Sequence, residues 1–256
     1  MSKLFNYLVI IFLFCYANSV VSLPEVATIP EVATILKVAD SFRLPTATAK
    51  VETLVELYKD DVLEKSREYR VYLKPGRRSL VLFRSPQEAG QKVLMVEENF
   101  WMLMPNSRRP IRITPIQKLL GEAATGDIAT LTWSEYYSGT LVEADTDYQG
   151  VPALQLALDS KVKGTTYAHI DLWVARHDYA PLAANLYVQS GKLAKQAKFI
   201  TETVADQRRV VRMTLLDRLQ RQRRTEVKML SVTAAELPDK YFNPMFLVRN
   251  NLEETE

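Results

Sequence analysis

Residues 93–129 read VLMVEENFWMLMPNSRRPIRITPIQKLLGEAATGDIA. Two apolar runs, residues 93–96 and 100–104, are separated by a short polar turn. A strand with one face in water carries a polar residue at every second position, so runs that are apolar throughout predict strands covered on both faces. The basic, proline-bounded segment 105–115 then takes the chain out of the sheet, and residues 116–137 are predicted to form a helical lid.

Further strands are predicted on both sides of this segment by the alternation of apolar and polar residues. Residues 49–57 and 63–74 alternate before it. After it, alternating runs bounded by turn signals lie near residues 139–145, 152–159, 166–175, 182–189, 193–202, 208–218 and 223–233. We therefore predict a mainly β domain with some α: a strongly curved antiparallel sheet of about eleven strands, closed by an N-terminal helix and the mid-chain lid.

The N-terminal helix is predicted over residues 31–42, where apolar and polar side chains separate on two faces. Pro45 ends it, because proline cannot continue a helix. The apolar face is predicted to hold Val32, Ile35, Leu36, Ala39 and Phe42. The polar face is predicted to hold Glu31, Thr34, Lys37 and Asp40.

Export across a membrane is predicted from residues 1–22. A basic residue is followed by an apolar run over residues 7–15 and then by small residues, which is the layout of a secretory signal peptide. This run is well short of the ~20 residues that a membrane-spanning helix needs. We predict cleavage after Ser19 or Ser22, which leaves a single domain over residues 23–256 in the periplasm. An uncleaved membrane anchor is the alternative.

Composition and motifs exclude several classes of function. A net charge of +3 is too small to predict nucleic-acid binding. His169 and His177, the two histidines, have no metal-ligand spacing to another histidine or to Cys15, the single cysteine. Residues 121–127 resemble a phosphate loop but lack its lysine. We therefore predict no catalytic residue, no metal site and no cofactor.

Basic residues gather in two places. Three arginines, Arg108, Arg109 and Arg112, flank the segment that leaves the sheet. A second group lies around a late hairpin and includes Arg221, Arg223 and Arg224. Such groups either keep strand edges from pairing or dock on anionic lipid headgroups or an acidic partner protein. The sequence leaves both alternatives open.

The bulky residues 100–104 and the apolar residues of the lid allow two interpretations. They form an ordinary core, or they line a pocket for one hydrophobic ligand under a helical cover. A resemblance favours the pocket.

The sequence resembles the LolA-like periplasmic proteins, in particular the outer-membrane lipoprotein-sorting protein group. The resemblance extends over nearly the whole mature chain. The matching residues are Leu94-Met95-Val96, Trp101, Pro105, Arg108-Arg109-Pro110-Ile111-Arg112-Ile113, Gln117, Leu119-Leu120-Gly121, Gly126-Asp127-Ile128-Ala129, Leu172-Trp173-Val174, Pro181, Ser190-Gly191-Lys192-Leu193 and Leu237-Pro238-Asp239-Lys240-Tyr241-Phe242.

The resemblance implies an eleven-stranded half-barrel with an apolar cavity for acyl chains and no enzymatic activity. It implies a periplasmic monomer that carries a lipoprotein or free lipid between the inner and outer membranes, with an inner-membrane transporter as a further partner. The expected cavity and lid residues are Leu94, Val96, Trp101, Leu103, Ile111, Leu119, Leu120, Ile128, Leu131 and Trp133. The six arginines named above are the expected docking residues.

Two other functions stay open. The chain could serve as a periplasmic interaction or regulatory module that docks on a membrane protein or a lipid-exporting pump, as RseB-type regulators use a similar architecture. An unrecognised hydrolase is the third hypothesis, although no catalytic constellation can be assembled from the residues.

Overall fold

Thirteen strands form one curved sheet in the residues that the computed structural model describes, which are 29–45, 47–114, 117, 131–163, 165–220 and 222–250. The predicted signal peptide and most of the predicted lid lie outside these residues. The strands are β1 Ala49–Lys59, β2 Val62–Lys74, β3 Arg78–Phe83, β4 Lys92–Val96, β5 Asn99–Leu103, β6 Ile111–Ile113, β7 Tyr137–Tyr148, β8 Val151–Ser160, β9 His169–Ala175, β10 Pro181–Tyr187, β11 Leu193–Val204, β12 Gln207–Asp217 and β13 Arg223–Ala234.

The first and last strands meet at the middle of the sheet. The order is β6-β5-β4-β3-β2-β1-β13-β12-β11-β10-β9-β8-β7, and every neighbouring pair is antiparallel. Each residue of β1 from Ala49 to Lys59 has a partner on β13, so this one pairing joins two meanders. Tight turns connect the hairpins, and Asp60 and Asp61 adopt the positive φ angles that a two-residue turn requires.

The sheet has more strands than the sequence predicted. We expected about eleven, and β6 was assigned to the segment that leaves the sheet. Its three residues pair with β5 from Phe100 to Met102. A strand of three residues is too short for an alternation to be recognised, and here the edge of β5 provides the pairing.

Three α-helices lie in the described part of the chain: α1 Val32–Ser41, α2 Trp133–Tyr136 and α3 Pro244–Arg249. None of the described helices is long and apolar enough to cross a membrane. The predicted apolar face of α1 is confirmed, because Ile35, Leu36 and Ala39 are buried in the main core. This core also contains apolar residues of β8 and β9, of which Leu154, Leu156, Leu158, Ile170, Leu172 and Val174 have no exposed surface.

Asp40 is buried, although the sequence placed it on the polar face of α1. Only 6% of the residue is exposed. Its carboxylate accepts hydrogen bonds from the backbone N–H groups of Trp133 and Ser134, at 3.0 and 2.8 Å, and from the Ser134 hydroxyl at 2.8 Å. Arg43 Nη2 lies 2.8 Å from Asp40 Oδ1, and its guanidinium carbon lies 3.6 Å from the centre of the Trp133 ring. Helical periodicity missed this, because the backbone N–H groups that bind Asp40 lie more than 90 residues away.

The C-terminal segment covers the opposite face of the sheet. A short 3-10 helix, Asp239–Phe242, and α3 place Leu237, Tyr241, Phe242 and Leu247 against Tyr72, Leu80, Leu82, Leu94 and Leu103. Asp239 accepts a hydrogen bond from Arg78 on β3 at 2.9 Å, which positions the 3-10 helix. This explains why β3, β4 and β5 are apolar on both faces.

Gly139 of β7 lies where α1 packs on the sheet. A Cβ at this position would stand 2.6 Å from Val32 Cγ1 and 2.8 Å from Leu158 Cδ2. Real side chains do not approach this closely, so Val32 and Leu158 would have to shift.

Replacing Asp40 with alanine leaves the buried Arg43 guanidinium without its carboxylate. We expect Asp40→Ala to lower the free energy of unfolding by about 3–5 kcal/mol, the usual cost of breaking a buried ion pair. Urea denaturation of purified protein measures the change. Lys37→Ala, on the exposed side of the same helix, should stay within about 0.5 kcal/mol of the unmodified chain. Equal effects of the two substitutions would contradict this role of Asp40.

The close packing at Gly139 predicts that Gly139→Ala overpacks the contact between α1 and β8. We expect a loss of about 1–3 kcal/mol in the free energy of unfolding, as for other methylene-sized insertions in tight cores. Thr140→Ala, at the exposed neighbouring position, serves as the control in the same urea titration. An alanine at 139 that is as stable as glycine would show that the helix is free to shift.

Candidate functional site

One face of the sheet encloses a cavity of about 1370 Å³, lined by residues of β1–β6 and β11–β13. Phe42 and Pro45, from the connection between α1 and β1, also contribute to the lining. Pockets for drug-sized ligands measure roughly 300–1,000 Å³. The cavity therefore has room for a larger ligand.

The wall of the cavity consists of side-chain rows that run across the strands. Paired residues on neighbouring strands project to the same face, so a row of apolar partners gives a continuous apolar strip. The first row contains consecutive partners on six strands: Val232, Val51, Val71, Val81, Val93 and Met102. The second row contains Leu73, Ser79, Met95, Phe100 and Ile113. All of these residues line the cavity.

Four residues predicted to line the wall lie instead on the opposite face. Leu94 and Leu103 are buried against the C-terminal segment, and Val96 and Trp101 pack against the same cluster. Along β4 and β5, each predicted residue is one position away from a residue that lines the cavity. Both faces of these strands are apolar, so the alternation carried no information about which face meets the cavity. The residues of β4 and β5 that do line it are Val93, Met95, Phe100 and Met102.

The other six predicted cavity and lid residues also lie outside the lining of the cavity or outside the described residues. Ile111 is 53% exposed, and its neighbour Ile113 lines the cavity. Leu131 and Trp133 are buried in the main core beneath α1 and do not belong to the cavity wall. Leu119, Leu120 and Ile128 lie outside the described residues. A movable lid therefore stays a prediction.

Two ion pairs contribute to the lining of the cavity. Arg67 and Glu88 form an ion pair at 2.9 Å, and Lys195 and Asp217 form another at 2.9 Å. All four residues line the cavity. Sequence reasoning missed these pairs, because the partners are 21 or 22 residues apart and belong to different elements. Burial raises the pKa of the neighbouring Tyr69 to about 12, so its phenol stays neutral at physiological pH.

Known proteins share the curved antiparallel sheet described above. A family model described as an uncharacterized protein matches residues 76–249. A LolA superfamily protein from Nitrosomonas europaea shares 27% sequence identity and superposes with a TM-score of 0.75, over 84% of this chain and 98% of that one. The chain belongs to the matched family and is a LolA-like protein.

Two more solved structures share the fold of this LolA-like protein. An outer membrane lipoprotein-sorting protein domain from Vibrio parahaemolyticus has 20% identity and a TM-score of 0.68. A DUF1329 family protein from Desulfovibrio piger has 19% identity and a TM-score of 0.68. Each alignment covers 84% of this chain and 98% of the other. None of the curated proteins matches the sequence.

The predicted docking arginines of this LolA-like protein lie at two separate places. Arg108, Arg109 and Arg112 are exposed at and beside β6, and Arg112 donates a hydrogen bond to Asn99 Oδ1. Their accessibility leaves them available to a partner surface, and docking there stays a prediction.

The second group of arginines lies at the start of β13. Arg223 is exposed and lines the cavity. Arg224 pairs with Glu226 at 2.7 Å, and its guanidinium carbon lies 4.0 Å from the centre of the Tyr58 ring. Arg221 lies outside the described residues. These contacts give Arg224 a structural role in the sheet.

His169 belongs to an ion-pair cluster rather than to a metal site. Its Nδ1 lies 2.8 Å from Asp159 Oδ1, and its Nε2 lies 3.1 Å from Asp171 Oδ1. Partial burial opposes protonation of the imidazole, but the two carboxylates outweigh it and raise the pKa of His169. Across the described residues, no group of three or more His, Cys, Asp or Glu residues is placed to hold a metal ion.

The raised pKa of His169 predicts a pH-dependent contribution to stability. This contribution is complete below the unfolded pKa of about 6.5 and is lost as pH rises through the higher folded value. We expect the stability difference between the unmodified chain and His169→Gln to shrink from pH 5.5 to pH 8.5 in urea titrations. Asp159→Asn should weaken the same dependence. A difference that is constant over this range would show that the imidazole does not interact with the carboxylates.

Proposed function

We propose that this protein binds acyl chains in its cavity and carries a lipid or a lipoprotein between the two membranes of the cell envelope. The observation that supports this proposal is the pair of apolar rows across β13 and β1–β6. These rows extend across the width of the cavity wall. Transferring an acyl chain from water onto them lowers the free energy by about 0.8 kcal/mol per buried CH₂ group. The proposed function is binding and transport, without catalysis.

The composition of the wall suits flexible chains of varying length. Met102 lies beside the valines of the first row, and Met95 lies between Ser79 and Phe100 in the second. Unbranched thioether side chains adapt to irregular ligands, whereas branched valines provide a firm surface. A rigid polycyclic ligand would need a more closely shaped pocket. The wall therefore favours acyl chains as the ligand class.

The cellular location is part of the same proposal. Residues 1–22 have the layout of a secretory signal peptide, and one related solved structure is described as an outer membrane lipoprotein-sorting protein domain. We infer that the mature chain acts in the periplasm. There, a carrier must shield acyl chains from water, which the cavity can do.

The direct test is to identify the bound material. The chain is produced with its own N-terminal segment, purified from the periplasmic fraction without detergent, and extracted for lipid mass spectrometry. We expect acyl lipids or acylated peptide in at least equimolar amount. The absence of any such material, together with a failure to bind a pyrene-labelled hexadecanoate, would contradict the proposed function.

A matched pair of methionines separates cavity binding from nonspecific adsorption. Met102 lines the cavity, whereas Met104 is 39% exposed outside it. A carboxylate at position 102 must lose its water when a chain binds, which is unfavourable in an apolar site. We expect Met102→Glu to weaken binding of pyrene-labelled hexadecanoate by about tenfold or more, equivalent to about 1.4 kcal/mol. Fluorescence titration should give an unchanged Kd for Met104→Glu, and equal losses would place the ligand outside the cavity.

Docking on a membrane protein is a second proposed role, supported by the exposure of Arg108 and Arg109. Neither residue forms an ion pair with any described residue, so both guanidinium groups are available to acidic side chains. In this proposal they guide the carrier to an inner-membrane transporter, because surface charges mainly accelerate encounter. Loss of partner capture from membranes in Arg108→Ser/Arg109→Ser, with lipid binding retained, would support this role.

A further inference from the structure

Strands β12 and β13 are neighbours in the sheet, but they are paired over only part of their length. Their ladder runs from Leu216 and Arg224 to Arg212 and Lys228, and ends there. Beyond this point β12 continues to Gln207 and pairs with β11 but not with β13. In the same region β13 continues to Ala234 and pairs with β1 but not with β12. The two strands therefore diverge and leave a split in the wall, between residues 207–211 and 229–234.

The split is connected to the cavity. Residues on both of its sides line the cavity, including Val210 and Val211 of β12 and Met229 and Val232 of β13. Val232 also belongs to the first apolar row, and yet it is 39% exposed. A side chain that both lines the cavity and meets solvent marks an opening.

Two structural features hold the split open. The backbone N–H of Val210 donates to the Phe42 carbonyl at 2.8 Å, so the connection after α1 occupies the place where β13 would pair. On the other side, the register of β13 shifts between Ser231 and Met229, which leaves Leu230 as an extra residue opposite β1. Bulges of this kind bend a strand and change the direction of its side chains.

The rim of the split is apolar and exposed. Leu230 is 58% exposed, Val232 39% and Val204, at the end of β11, 49%. All three line the cavity. A single exposed apolar residue is ordinary, but a group around an opening marks a place where an apolar ligand passes or binds.

We propose that the split between β12 and β13 is a side entrance through which an acyl chain enters and leaves the cavity. This inference rests on the proposed function, since it assumes that the cavity holds acyl chains. From solvent to the first row, Leu230 and Val232 provide apolar contacts for an acyl chain. Gln207 and Arg209, which also line this part of the cavity, provide polar contacts for a carboxylate or headgroup that remains at the surface.

Strand addition is the competing use of such a split, because unpaired strand edges accept a further strand. The structure disfavours it. The Phe42 carbonyl already occupies the Val210 N–H, and the bulge at Leu230 interrupts the regular edge that a ladder needs.

The test measures the rate of ligand transfer separately from the amount bound. Pyrene-labelled hexadecanoate is transferred from phosphatidylcholine vesicles to the protein and followed by fluorescence. In Leu230→Asp/Val204→Asp, two carboxylates flank the opening, and we expect transfer to slow at least about tenfold. The amount bound at equilibrium should change by less than about twofold, because neither residue belongs to the two rows of the wall. Leu141→Asp/Val142→Asp is the matched control, since these residues are 37% and 55% exposed on β7 and do not line the cavity.

A second variant covers the case in which two carboxylates prevent folding. Leu230→Cys in a Cys15→Ser background is modified with a bulky maleimide, which obstructs the opening without adding charge, and Val142→Cys is the control.

Slow transfer after modification at 230 but not at 142 supports the side entrance. Unchanged rates in variants that still bind hexadecanoate overturn it and leave the proposed function intact. No binding by the unmodified chain overturns both. A concentration-dependent dimer that Leu230→Asp/Val204→Asp abolishes assigns the split to strand pairing and overturns the entrance.

Discussion

The pairing of the first strand with the last is the constraint on which this fold depends. Each half of the chain is a meander of neighbouring hairpins, but β1 and β13 are separated by more than 160 residues and pair along all of β1. Closing a loop of this length costs conformational entropy before any contact forms. The pairing creates the continuous wall, because the first cavity row crosses from Val232 to Val51 at this junction. Without it, each meander would expose an apolar edge and half of a cavity.

The two faces of the sheet are covered by different parts of the chain. The cavity lies over strands that neither part covers. On one face, α1 and Trp133 cover β7–β12, with Asp40 and Arg43 forming a buried polar connection between them. On the other, the C-terminal segment covers β2–β5. Because the described elements leave the cavity face of β1–β5 open, its valines and methionines are available to a ligand.

The same wall has local departures from regular pairing, and these determine how the cavity meets solvent. The ladder of β12 and β13 stops at Arg212 and Lys228, and the connection after α1 binds Val210 where the ladder would continue. A fully regular sheet would satisfy more backbone groups but would close this side. The Lys195–Asp217 pair lies at the other end of β12 and also lines the cavity. An amphiphile would therefore meet different chemistry at the two ends.

The mainly β architecture, the N-terminal helix and the succession of hairpins could be predicted from the amino acids alone, because periodicity and turn residues are local properties. The resemblance to LolA-like proteins was also contained in the sequence. The folded chain was needed to identify the face of β4 and β5 that lines the cavity, because Leu94 and Val93 are equally apolar. The distant C-terminal segment covers the face that carries Leu94. The tertiary structure also decided that Asp40 is buried and that β12 and β13 separate. Each of these features arises from contacts between residues far apart in the chain, and no local pattern records such contacts.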